Sequence, residues 1–133
     1  MPRRAERVQL AAATLAGTAL DEHHRAVLAG TAAFRGLPLH SYAGYGGPWI
    51  ENLWIERFCC GERDEAIFGR FVPLFLQWVD MQMSPAGFPE ELEPTLRRLL
   101  RPDVLYATVS QHDDGAAPLR GFPNVLVFSA GGV

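Results

Sequence analysis

Between Trp49 and Phe58 apolar residues recur at helical spacing, with Ile50, Leu53, Trp54 and Phe58 on one stripe and Glu51, Asn52 and Glu56 opposite. This predicts an amphipathic helix with a solvated acidic face. Pro48 suits its first position, where a missing N–H costs nothing, and Gly61 with the charged turn Glu62-Arg63-Asp64-Glu65 ends it. The run Ile67 to Val72 has strand character and is punctuated by Pro73. Leu74 to Val79 is apolar apart from Gln77 and reads equally as a helix start or as more strand, buried either way. After the loop residues Ser84, Pro85, Gly87 and Pro89, Glu90 to Leu100 reads as a helix. Its acidic residues come early and Arg97 and Arg98 late, as a helix dipole favours, and Pro94 is expected to break or restart it.

Two strand signals close the chain. Val104 to Ser110 is rich in β-branched and aromatic residues, and Asn124 to Ser129 is a continuous apolar run of the kind found in doubly covered parallel sheets. The order helix, strand, helix, strand, strand predicts an α/β fold with a mostly parallel sheet. A buried parallel strand with no crossover after it predicts an open edge, so residues 37–133 are expected to be a partial α/β domain, cut at its C-terminus.

Residues 1–36 carry less pattern. They are Ala-rich, and the cluster Asp21-Glu22-His23-His24-Arg25 reads as the solvated face of a helix, so this segment is expected to be a leader or a helical or disordered extension outside the fold. Arg3, Arg4 and Arg7 precede an uncharged run from Val8 to Leu20 that imitates a signal peptide poorly and is too short to span a bilayer. No membrane segment is evident.

Composition narrows the function classes. A chain of 133 residues, 48% hydrophobic, is sized for one domain. A net charge of -3 gives no electrostatic reason to expect a nucleic-acid partner. All twelve basic residues are Arg, which removes lysine-based chemistry. The only cysteines, Cys59 and Cys60, are adjacent and cannot form a disulfide framework, so they are expected to be ordinary half-buried residues. A metal site drawing on them and on His23, His24 or His112 has no recognisable ligand spacing, so no metal is expected.

Three stretches carry candidate chemistry. Ser110-Gln111-His112-Asp113-Asp114-Gly115 follows a strand directly, at the carboxyl end where open α/β sheets collect ligands. Two carboxylates beside an imidazole can bind a divalent cation or act as acid and base, making His112, Asp113 and Asp114 catalytic candidates and Gln111 a substrate contact. The same Asp-Asp-Gly is also ordinary turn chemistry. Ser129-Ala130-Gly131-Gly132 is a small-residue turn whose backbone at Gly131 and Gly132 can approach a phosphate or sugar closely. In Tyr42 to Trp54, glycines interleaved with Tyr42, Tyr45 and Trp49 suggest a loop able to stack on a sugar ring, with plain packing as the alternative. Neither a Ser-His-Asp arrangement, a P-loop, His-Glu-x-x-His nor Cys-x-x-Cys occurs.

The string Phe71-Val72-Pro73-Leu74, then a helix, then Asp103-Val104-Leu105-Tyr106-Ala107-Thr108-Val109-Ser110 and Asn124-Val125-Leu126-Val127-Phe128-Ser129, resembles the N-terminal half of exostosin-like glycosyltransferases. The similarity covers about residues 37–133. Where that family commonly has a Gly-Arg-Asp-His-like loop, this chain has Gln111-His112-Asp113-Asp114-Gly115, with the His before the Asp. The resemblance implies an incomplete Rossmann-like domain of the GT-B type. It implies an enzyme moving a sugar from a nucleotide-sugar to a glycan, with this half on the acceptor side and inactive alone. The donor would be bound elsewhere in a longer protein, with no cofactor in this segment. On the same reading Tyr45 or Trp49 touches the acceptor glycan, and the protein resides in the Golgi or another endomembrane compartment, against a cytoplasmic default. The alternative expectation is a small non-catalytic binding or interaction domain.

Overall fold

In the computed structural model, residues 15–40 and 48–129 are described, without the side chains of 113–115. The elements run α1 (Gly17–Gly30), a 3-10 turn (Ala32–Phe34), α2 (Ile50–Phe58), a single-turn helix α3 (Glu65–Phe68), β1 (Phe71–Pro73), α4 (Trp78–Met83), α5 (Leu92–Leu99), β2 (Leu105–Ser110), a second 3-10 segment (Asp113–Leu119) and β3 (Val125–Ser129). The architecture is α/β, built on a three-stranded sheet in the order β1-β2-β3 with both pairings parallel.

The register places Val72 opposite Tyr106 and Tyr106 opposite Val125, while Ala107 faces Leu126 and Val109 faces Phe128. Side chains alternate across a pleated sheet, so these sets lie on opposite faces. Val72, Tyr106, Val125 and Val127 belong to the main core. There they pack with Leu20 and Val27 of α1, Trp78 and Met81 of α4, Leu92 and Leu96 of α5, and Leu119. On the other face α2 lies against β2, and the Trp54 ring sits 4.6 Å from that of Phe75. That covering stops short of the β3 side, where Leu126 is half-buried and Phe128 is 46% exposed.

Several expectations are corrected. The core does not begin at residue 37: Leu20, Val27 and Phe34 are all within it, so 17–34 is part of the domain rather than an extension outside it. The Ala-rich pattern concealed this because Leu20 and Val27, two turns apart on α1, suffice to dock the helix, and Phe34 joins them from the 3-10 turn. His24, expected on a solvated face, is 2% exposed. The strand predicted from Ile67 is a helical turn through Phe68 and starts only at Phe71. It includes Pro73, which an edge strand tolerates, and the ladder is carried on by Leu74 N–H donating to Ala107 O over 2.8 Å. Residues 74–77 are then neither helix nor strand before α4 begins. Pro94 does not break α5, because it falls in the first turn, where no intrahelical N–H is required. Cys59 and Cys60 follow α2, joined by a cis peptide, and as sequence neighbours they tie no distant elements together.

Candidate functional site

At the carboxyl edge of the sheet, two carboxylates sit where the sequence pattern predicted none to be buried. Glu51, in the first turn of α2, is fully buried, while its predicted apolar partners Ile50 and Leu53 are 37% and 50% exposed. The helix therefore presents a different stripe from the expected one. Hydrophobic periodicity alone mistakes Glu51 for a solvated residue, because it omits backbone N–H groups that need an acceptor. Glu51 Oε2 accepts from Val79 N–H at 2.8 Å and Oε1 from Gln111 N–H at 2.9 Å. One side chain thus joins α2, the start of α4 and the loop after β2. Burial pushes the Glu51 carboxyl above the usual carboxylate range. The amides of Val79 and Gln111 oppose that shift, and the charge of Asp80 adds to it.

Asp80, 1% exposed in the first turn of α4, is the second of these acids. Its Oδ1 accepts from His40 N–H at 2.8 Å and from Trp49 Nε1–H at 3.0 Å. Its Oδ2 accepts from Asn52 Nδ2 and from Gln77 Nε2, both at 2.8 Å. Gln77 extends the network by pairing with both backbone groups of Leu37. Four donors on one carboxylate leave neither of its oxygens without a partner in the interior.

Trp49 is fully buried, packed edge-on to the His112 ring at 5.9 Å, and offers no free face for stacking on an acceptor. Gln111 is half-buried, and its Oε1 accepts from Ile50 N–H at 3.0 Å, so it tethers the start of α2. His112 is exposed, and its carbonyl accepts from Ser110 Oγ–H at 2.7 Å. Of the sequence candidates, the fold therefore brings Trp49, Gln111 and His112 together. Tyr45, Gly131 and Gly132 lie outside the described residues, as do the side chains of Asp113 and Asp114.

A shallow cavity of about 340 Å³ opens beside the Asp80 network, with Leu37, Leu39, Asn52, Leu53, Glu56 and Gln77 in its lining. Apolar walls with a few convergent polar groups match the general character of small-molecule sites. Among the described residues, no three His, Cys, Asp or Glu side chains are gathered to hold a metal ion, and no helix is long and apolar enough to cross a membrane. No protein-family model matches this chain, and neither a curated protein nor a solved structure shows detectable similarity to it.

Proposed function

We propose that this chain is the acceptor-side α/β part of a sugar-transferring enzyme, with a Rossmann-like fold of the GT-B type and a glycan bound at the carboxyl edge of its sheet. The supporting observation is that His112 stands exposed directly after the central parallel strand, the address at which open α/β sheets bind ligands, and is braced by Trp49 and Ser110. On this reading His112 is the acid–base candidate, and the cavity lined by Leu39, Asn52 and Glu56 receives the acceptor. The nucleotide-sugar belongs to a second α/β half. Trp49 and Gln111 become positioning residues rather than substrate contacts.

The test is a titration of residues 1–133 with a panel of oligosaccharides, followed by amide chemical shifts. Expected are shifts confined to 110–112 and to the cavity lining, lost in His112→Ala. A panel that moves none of these amides would overturn the reading.

A second reading, a small non-catalytic binding or interaction domain, is favoured by the way Glu51 and Asp80 are used. All four of their carboxylate oxygens are engaged by internal donors, as in a scaffold. It predicts a monodisperse, cooperatively melting protein indifferent to nucleotide-sugars and glycans alike. Oligosaccharide-dependent amide shifts at 110–112 in the isolated chain would exclude it.

A further inference from the structure

The adjacent pair His23 and His24 takes no part in the site above, yet the two imidazoles clamp α1 from two sides. His23 Nε2 lies 2.7 Å from the hydroxyl of Tyr106, a fully buried residue of the central strand. That hydroxyl oxygen already accepts from Arg101 N–H at 2.8 Å. The arrangement satisfying every group has the phenol hydrogen donated to His23 Nε2, which requires a neutral imidazole carrying its proton on Nδ1.

His24, one residue on, faces another way. It is 2% exposed, and its Nε2 is buried with no hydrogen-bond partner. Arg63, from the turn before α3, approaches the same face of α1. Its side chain is 4% exposed, its Nη2 lies 3.5 Å from Asp21 Oδ1, its Nη1 donates to Gly69 O, and its Nε also lacks a partner. A proton on His24 would set a second buried cation beside this guanidinium, with no acceptor for the new N–H.

We propose that His23 and His24 form an acid-released latch, which holds α1 against the sheet and the 61–69 turn only while both rings are neutral. Proton uptake frees α1 before the sheet opens.

The charged surroundings are mixed, with the cations outweighing the acids at both rings. Around His24 stand Arg63 from the turn and Asp21, Arg25 and His23 from α1 itself. Burial, then Arg63, lowers its pKa, with Arg25 and His23 adding to the effect and Asp21 opposing it. Around His23 stand Tyr106 from β2, and Arg101 and Asp103 from the loop before it. Burial, then Arg101, lowers its pKa against the opposing charge of Asp103. For a histidine depressed below 6.5 in the docked state, the released state binds more protons. Docking is therefore fully stable above 6.5 and weakens as pH falls from there through the docked-state value.

The experiment is native-state hydrogen exchange of residues 1–133 at pH 7.5 and 5.5, corrected for intrinsic rates, together with the ring titrations of His23 and His24 by NMR. Expected is an opening constant for α1 amides that rises by up to about tenfold per pH unit for each proton taken up, while β2 amides change less. Both rings should titrate below 6.5. His23→Gln with His24→Gln should remove the differential. If that variant fails to fold, the wild-type comparison of α1 with β2 decides alone. Equal loss of protection in α1 and β2, or either ring titrating at or above 6.5, would overturn the latch.

Discussion

Trp49 donates its indole N–H to Oδ1 of Asp80 over 3.0 Å, and this bond ties the residue preceding α2 to the first turn of α4. Both groups are sealed from water, so neither can exchange a lost partner for solvent. Trp49→Phe removes the donor together with the outer part of the indole, leaving a small void beside Asp80. The expected loss is about 1–3 kcal/mol of unfolding free energy, read by urea denaturation. Asp80→Asn should cost more than Trp49→Phe, because its amide turns N–H groups towards donors that now point at nothing. Equal stability of Asp80→Asn and wild type would show that the four-donor network is not what holds this edge together.

Glu51 occupies the equivalent position between α2 and the loop after β2. Glu51→Ala strips the amides of Val79 and Gln111 of their acceptor and should cost about 2–5 kcal/mol. Glu51→Gln leaves one amide facing an NH₂ group, and also removes a buried charge, so its loss should be smaller. The pH signature separates the two effects. Burial sets the folded-state value of Glu51 above the ordinary 4.5, so charging it opposes folding. Stability should fall as pH rises from 4.5 through the folded value, and Glu51→Gln should flatten that slope. Loss of the slope in Glu51→Gln, with fold retained by circular dichroism, is the outcome expected.

The strands were the most legible part of the sequence. Leu105–Ser110 and Val125–Ser129 fall inside the runs that β-branched and aromatic content marks out, and parallel pairing follows from their continuous apolarity. The site was less legible for a physical reason. Glu51 and Asp80 are buried by backbone amides and side chains distant in sequence, with partners up to 60 positions away, and local periodicity carries no trace of them. The same holds for His24, whose surroundings depend on a turn near residue 63. Between stacking and plain packing, the readings the sequence left open for Trp49, its aromatic-and-glycine context could not choose, because it says nothing about the carboxylate that captures its N–H. A signal was available in principle: Glu51, two residues after the N-cap Trp49 of a helix that also follows Pro48, is an acid placed for a role at the helix start.

Gly30, in the last turn of α1, lies directly against the Leu99 side chain of α5. A methyl group there would lie 2.5 Å from Leu99 Cδ1 and 2.7 Å from Cδ2. Gly to Ala ordinarily gains about 0.5–1 kcal/mol inside a helix. Here Leu99 must shift to make room, which should cancel that gain and leave Gly30→Ala neutral to about 1 kcal/mol destabilising. Because the obstacle is the end of a flexible side chain, Leu99→Ala should absorb much of that penalty. A double-mutant cycle is therefore expected to give a favourable coupling of about 0.5–3 kcal/mol. Strictly additive losses would mean that the two helices already have room to separate.

Tyr106 provides a prediction at the opposite end of the pH scale. Its hydroxyl is fully enclosed, shared between Arg101 N–H and His23, and burial pushes the phenol up to about 12 from 10.0, with Arg101 pulling against the shift. The unfolded chain releases this proton near 10 and the folded protein only near 12, so the folded state binds more protons across that interval. Stability contributed by the neutral phenol is whole below 10 and is lost as pH climbs from there towards 12. Alkaline unfolding followed by tyrosine absorbance and circular dichroism should therefore show ionisation of Tyr106 coincident with loss of structure, not preceding it. Tyr106→Phe is expected to lower stability at neutral pH by about 1–3 kcal/mol, since Arg101 N–H and His23 Nε2 both lose their partner. It should also weaken the alkaline slope. A phenol that titrates near 10 while the sheet remains intact would show that the hydroxyl is reached by water and that its two hydrogen bonds are not maintained in solution.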